Sequence, residues 1–296
     1  MQLAFLGFGL IAGSIARAIR LNPSTSDWSI AAWSPSGDGP RRALAEHIVD
    51  VASDEPDTAL IGAGLVILAA PATACLTLID RLTGPWRPRL SDGAVVTDVA
   101  STKGAIVTKA DAVGLRFVGG HPMAGLDSAG YGAARADLLV DRPWVVVPGA
   151  RASALDVQRV ADLAAACSAR IVMMDAAAHD RAVAGISHLP LIAAVALVES
   201  VAGSGPGGAT AGTAADWPIN AALAAGGWRD MTRLAKGDAA MGAAIVATNA
   251  PALAVRLRDL RAVLDAWLSE LERSGGPDEA VVREWLTAAR TIVDEP

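Results

Sequence analysis

The residues best suited to chemistry are few. The stretch Val118-Gly119-Gly120-His121-Pro122-Met123-Ala124-Gly125 holds an imidazole between a glycine pair and a proline. Glycine lets the backbone approach a flat ligand, and the residue before proline is driven to an extended conformation, so the direction of the His121 ring is fixed. That mounting suits a general base; the competing reading is a strand ending in a turn, with His121 a satisfied or solvated side chain. Ser101, in Asp98-Val99-Ala100-Ser101-Thr102-Lys103-Gly104, either donates a hydrogen bond to a substrate hydroxyl or caps a helix beginning near Lys103. His179 of His179-Asp180 and His188 of Ser187-His188-Leu189-Pro190 are nine positions apart, and each also fits a packing role. Arg229 and Arg233 are four apart and share a face on a helix, a guanidinium pair suited to a dicarboxylate; otherwise they form a solvated face with Asp230.

These groups need a frame. Leu3 to Leu6 read as a buried strand, followed by Gly7-Phe8-Gly9-Leu10-Ile11-Ala12-Gly13-Ser14 and a helical run from Ile15 to Ile19. This is G-x-G-x-x-A between a strand and a helix, the setting of a dinucleotide site: Gly7 makes the turn, Gly9 admits the pyrophosphate, and the helix N-terminus receives its charge. A strand from Trp28 to Trp33 leads to Ser34-Pro35-Ser36, with Arg41 and Arg42 after it. An NAD site usually carries an acid there; Ser34 removes the repulsion against a 2′-phosphate and favours NADP, unless Asp38 supplies the acid and the cofactor is NAD. Strands from Leu65 to Ala70, closed by Pro71, and from Ala94 to Thr97, ending at Asp98, follow. The carboxyl ends of parallel strands bind ligands, so Ala70, Pro71 and Asp98 join Gly7, Phe8, Gly9, Leu10, Ile11, Ala12 and Ser34 as candidate cofactor contacts.

Phe117-Val118, Trp144 to Val147 and Arg170 to Met174 read as further strands, with a helix from about Ala154 to Cys167. The expected architecture is an α/β Rossmann-like nucleotide-binding domain over 1–175, followed by an all-α helical substrate and dimerisation domain over 176–296. From Ala176 onward apolar residues recur at helical spacing, with Val201 to Asp216, rich in Gly, Ala, Ser and Thr, read as a loop. The stripe of Leu257, Leu260, Leu264, Trp267, Leu268 and Leu271 exceeds what a small helical domain can bury, which predicts a homodimer.

Composition narrows the partners. A net charge of −6 and a pI near 5.2 leave no basic face for nucleic acid, so an anionic substrate needs local arginines. No apolar run is read as approaching the roughly 18 residues of a membrane span, the opening run lacks a basic n-region and cleavage site and reads as a strand, and the sparse cysteines fit a reducing cytoplasm, so a cytoplasmic protein is expected. Cys75 and Cys167 stand at no metal-like spacing and are read as buried small residues, with no metal site expected.

Taken in order, the glycine loop, Asp98-Val99-Ala100-Ser101-Thr102-Lys103, Gly120-His121-Pro122-Met123-Ala124-Gly125, His179-Asp180, Ser187-His188-Leu189-Pro190 and Gly226-Gly227-Trp228-Arg229-Asp230-Met231-Thr232-Arg233 resemble the prephenate and arogenate dehydrogenases along most of the chain. The resemblance implies a nucleotide-binding domain followed by a helical dimerising domain, with the site between them. It implies oxidative decarboxylation in tyrosine biosynthesis: hydride passes to NAD or NADP, a base takes the ring hydroxyl proton, and loss of carbon dioxide makes the ring aromatic. In it His121 matches the base, Ser101 the residue orienting the hydroxyl and Arg233 the grip on the ring carboxylate; Arg229, His179 and His188 stand beside these as further candidate substrate contacts. An acidic limb near the unperturbed histidine value of about 6.5 is then expected in the pH profile.

Many relatives carry a histidine where this chain has Leu191 and an aromatic where it has Gly242 after Met241. Both positions face the substrate side chain in the family, which leaves prephenate and arogenate both open. Two other classes share the layout. A β-hydroxyacid or imine reductase relies on a lysine in its helical domain, where Lys236 is the sole lysine, and a non-catalytic NADP sensor has no use for His121, Ser101 and Arg233.

Overall fold

A computed structural model describes residues 1–126, 128–203 and 211–295. The first half alternates strand and helix: β1 (Gln2–Leu6), α1 (Leu10–Leu21), β2 (Ser29–Trp33), α2 (Asp38–Ala45), β3 (Val51–Ala52), β4 (Leu65–Leu68), α3 (Ala72–Thr83), β5 (Val95–Asp98), α4 (Gly104–Ala112), β6 (Phe117–Pro122), β7 (Pro143–Pro148), α5 (Ala154–Ala166) and β8 (Arg170–Met173). They form one eight-stranded sheet in the order β3-β2-β1-β4-β5-β6-β7-β8. The strands from β3 to β6 are mutually parallel, β7 is antiparallel to β6, and β8 is parallel to β7. The strands are short apolar runs because both faces are covered. Leu3, Phe5, Leu65, Ile67, Val95, Val118, Trp144 and Val146 face one core layer. Their neighbours Ala4, Leu6, Val66, Leu68, Val96, Phe117, Val145 and Val147 face the other, as the period-two alternation of a strand requires.

Helices fill the second half: α6 (Ala176–Val183), α7 (Leu189–Ala202), α8 (Ala211–Leu223), α9 (Gly226–Thr232), α10 (Ala239–Thr248), α11 (Ala250–Leu271) and α12 (Glu279–Asp294). Several begin at an acidic N-cap: the carboxylates of Asp175, Asp238 and Asp278 accept from the amides of Ala178, Met241 and Ala280, satisfying donors that the helix leaves unpaired. The fold class is that of a Rossmann-like unit followed by a helical one.

One strand went unread and three local readings are corrected. The two-residue β3 is too short to show a period. His121 lies within β6, opposite Val145 of β7, and so belongs to a strand rather than a turn. Of the stretch read as a loop over 201–216, Val201 and Ala202 end α7, Gly203 closes it in the left-handed conformation with φ 73°, and 211–216 open α8; residues 204–210 lie outside the described residues. Alanine there outweighs the small polar residues that suggested a loop. Finally, Ala176–Ala202 as a unit is 27 residues long and apolar enough to cross a membrane. It also carries His179, Asp180, Arg181 and His188, with both histidines turned into the protein.

Candidate active site

The nucleotide loop follows β1. Gly7 takes φ +96°, and a Cβ there would stand 2.3 Å from the Ala69 carbonyl oxygen, so the turn admits only glycine. Gly9 precedes α1 with open space where a Cβ would be. The first turn of α1 has neither a capping side chain nor an acidic residue, so its amides and its positive dipole end are left for an anion. Phe8 is buried, 5.7 Å from the Phe5 ring and 5.6 Å from that of Tyr131; it supports the loop by packing and offers its backbone, not its ring, to a ligand. Leu10 and Ile11 are half-buried and Ala12 is buried along α1. After β2, Ser34 is half-buried, while Asp38 is engaged by Arg41 at 2.9 Å. Ala70 and the exposed Pro71 follow β4 at the same edge of the sheet. These residues fit a dinucleotide.

The His121 cluster stands at that edge as well. Thr97 of β5 pairs with Val118 of β6, so β6 continues past the end of its neighbour and carries Gly120 and His121 beyond it. Asp98 does not face the cofactor cleft as a cofactor contact would. Its side chain is fully enclosed, paired with the equally enclosed Lys103 and accepting from the amides of Ala100 and Gly120, each at 3.1 Å. Burial pushes the Asp98 carboxyl above its usual range, opposed by the Lys103 charge and these amides. The glycine pair serves this packing rather than ligand approach: a Cβ on Gly120 would lie 2.5 Å from the Asp98 carbonyl oxygen, and one on Gly119 would lie 3.0 Å from Lys103 Cδ.

His121 is 8% exposed. Its Nδ1 lies 2.8 Å from His179 Nε2, and its Nε2 has no hydrogen-bond partner among the described residues. His179, 1% exposed, has its Nδ1 2.8 Å from Asp180 Oδ1. That carboxylate also caps α4 across the two units, accepting from Lys103 N at Oδ1 and Gly104 N at Oδ2, both at 2.8 Å. Burial raises the Asp180 carboxyl, but the His179 ring and the two amides outweigh it, and the net shift is downward. Burial first, then the charge of Lys103 and the neighbouring His179 and His188, holds His121 well below the usual histidine value. The expected limb near 6.5 is therefore displaced downward.

The α4 cap is thus Asp180, and Ser101 makes no cap: it stands half-buried ahead of Thr102, whose hydroxyl meets Thr248 at 2.8 Å. Two residues expected to face the substrate are enclosed instead. Both ring nitrogens of His179 are engaged, as above. His188 lies in a π-turn, Ala184–His188, 1% exposed, with Nδ1 3.1 Å from Asn249 Nδ2; burial lowers it to about 4. Asn249 also donates to the Asp180 carbonyl at 2.9 Å, tying α11 to this corner. Sequence reasoning missed Lys103, Asp180 and Asn249, whose signal is tertiary. Arg229 and Arg233 do not share one helix: Arg229 is exposed on α9, and Arg233, also exposed, opens a 3₁₀ turn, Arg233–Lys236, that packs on α7. The two departing positions meet, since a Cβ on Gly242 would lie 3.6 Å from Leu191 Cδ2. Cys75 and Cys167 are buried, and burial pushes both thiols up to about 12.

The family model of the prephenate dehydrogenase nucleotide-binding domain matches residues 15–173, and that of the prephenate dehydrogenase dimerization domain matches residues 175–285. The chain belongs to the prephenate dehydrogenase family. It is an NAD(P)-dependent dehydrogenase. Among relatives of this family, a prephenate dehydrogenase of Bacillus subtilis is 31% identical over 270 residues, 90% of this chain and 67% of that one. A cyclohexadienyl dehydrogenase of Zymomonas mobilis is 30% identical over 274 residues, 92% of this chain and 86% of that one. The crystal structure of Synechocystis arogenate dehydrogenase superposes with a TM-score of 0.78 at 28% identity, covering 100% of this chain and 99% of that one.

Proposed function

We propose that this family member oxidatively decarboxylates prephenate to 4-hydroxyphenylpyruvate in tyrosine biosynthesis, with arogenate, which would give tyrosine, as the alternative substrate. The observation that carries this reading is His121: a neutral imidazole at the carboxyl edge of a dinucleotide-binding sheet, held through Nδ1 and with Nε2 unclaimed among the described residues. A nicotinamide dinucleotide bound at the Gly7 loop supplies the hydride acceptor. His121 Nε2 takes the hydroxyl proton, Ser101 donates to or orients the same hydroxyl, and Arg233 holds the ring carboxylate, with Arg229 as a second cation nearby in sequence. General-base assistance of this kind contributes about 10² to 10⁴ in rate. His179 and His188 are assigned to the support of His121 rather than to substrate contact, because both rings are enclosed.

NADP serves at least as well as NAD in this reading, since Ser34 replaces the usual acid and the Asp38 carboxylate is engaged by Arg41. We place the boundary between the two units at 175 and read the protein as a cytoplasmic homodimer. The apolar surface of α7 then belongs to a subunit interface rather than to a membrane. One assay tests the substrate and cofactor together: formation of NADPH or NADH with prephenate and with arogenate. Turnover of neither overturns the assignment, and an NAD preference above about tenfold, roughly 1.4 kcal/mol, shows that an acid reads the ribose after all.

A further inference from the structure

We propose that Asp180 and His179 are positioning residues that set the ring tautomer of His121, placing its single proton on Nδ1 and leaving the lone pair on Nε2. The inference rests on the reading of His121 as the base and adds to it which nitrogen acts and what selects it.

The chain of hydrogen bonds starts at the Asp180 carboxylate. An ionised carboxylate only accepts hydrogen bonds, and Asp180, held below its usual range, accepts from two backbone amides that have no alternative role. The His179 nitrogen 2.8 Å from Asp180 Oδ1 must therefore carry a proton. With one proton on the ring, His179 Nε2 is a lone pair, and it lies 2.8 Å from His121 Nδ1. Two lone pairs do not face each other at that distance, so His121 Nδ1 donates. The remaining nitrogen, Nε2, is bare. The opposite setting would turn a His179 lone pair against the Asp180 carboxylate and forfeit a charge-assisted hydrogen bond.

The other charged and titratable groups facing this chain of rings are Lys103, which is paired with Asp98, and His188, which accepts from Asn249 in the arrangement that lets Asn249 Nδ2 also reach the Asp180 carbonyl. Neither offers His121 a competing acceptor. In the reaction the substrate O–H bond breaks and an N–H bond forms at His121 Nε2. The Nδ1 proton stays in place, and the imidazolium is stabilised across His179 by Asp180. Carboxylate–imidazole pairs act in this manner in hydrolases, where an imidazole left in the wrong tautomer loses about 10⁴ in turnover.

Nitrogen-15 spectra of the histidine rings in the full-length protein test the assignment directly, because the chain has only four histidines and single substitutions assign them. A protonated Nδ1 and bare Nε2 are expected on both His121 and His179 at neutral pH. A proton on His121 Nε2, or a doubly protonated His179, overturns the proposal. In parallel, His179→Leu is expected to lower kcat by about 10- to 100-fold and to leave His121 as a mixture of tautomers, with the Michaelis constant for the cofactor within about twofold. His179→Gln, whose amide oxygen can accept from Nδ1, is expected to recover most of that loss. Unchanged kcat in His179→Leu, or no recovery in the glutamine variant, overturns it. The base reading fails separately: a His121→Asn enzyme with near-normal turnover removes the base while the wild-type ring spectra still report the tautomers.

Discussion

Lys103 and Asp98 form an ion pair with both side chains wholly excluded from solvent, directly below the strand that carries His121. The pair joins the end of β5 to the start of α4, and its carboxylate also receives the Gly120 amide. Its cation is one of the groups that keep His121 unprotonated.

Lys103→Met is therefore expected to cost about 3–5 kcal/mol in urea unfolding, the usual penalty for stranding one buried charge. It should also raise the His121 value and move the acidic limb of the kcat/KM profile toward 6.5. In the wild type the limb is expected below 6.5, because the lowered imidazole stays neutral until the pH falls further. A histidine depressed in the fold takes up its proton more readily when unfolded, so stability is complete above about 6.5 and is lost as the pH falls. For His188 the window runs from about 6.5 down to about 4. Thermal unfolding across that range, in wild type and His188→Gln, should show a shallower loss in the variant.

Gly7→Ala should be destabilising by about 1–3 kcal/mol from its φ of +96° alone, with a further cost from contact with Ala69. Cofactor affinity, followed by fluorescence titration, should fall at least about tenfold as the loop shifts. Unchanged affinity would mean that the loop does not hold the pyrophosphate.

Arg233→Ala is expected to raise the Michaelis constant for prephenate strongly, by about 10- to 100-fold, and to leave cofactor binding nearly unchanged, since a charge-assisted contact is lost from the substrate alone. An unaltered Michaelis constant would transfer the carboxylate to Arg229.

On α11, Leu264, Leu268 and Leu271 stand more than half exposed, as do Leu286, Ile292 and Val293 of α12. Trp267 and Trp285 meet with ring centroids 5.0 Å apart, so the two helices close on each other while much of their apolar surface stays open. Light scattering at micromolar concentration should give a dimer, and Leu264→Asp with Leu268→Asp should shift it toward monomer. A monomeric wild type would contradict the interface.

Much of the nucleotide-binding half was legible in sequence, because Leu3 to Leu6 and Leu65 to Leu68 are runs buried on both faces and the glycine loop obeys a local steric rule. The helical half was legible as helices through its 3.6-residue spacing. What escaped depends on contacts distant in sequence. Asp98 stands where a cofactor-facing acid would stand, and only the enclosure of Lys103 turns it into a structural ion pair. His179 meets His121 across 58 positions, and the spacing of His179 and His188 cannot announce the π-turn that turns His188 inward. Ser101 does not cap α4, because Asp180, an acid from the helical half that no local pattern links to α4, takes that place.

The central claim is that His121 removes the substrate proton through Nε2, and the most direct measurement is the pH dependence of turnover in wild type and His121→Asn. Asparagine keeps a hydrogen-bonding group and cannot take the proton. The variant should bind both ligands, turn over about 10² to 10⁴ more slowly and lose the acidic limb expected of the wild type below 6.5. Near-normal turnover with the limb intact would contradict it.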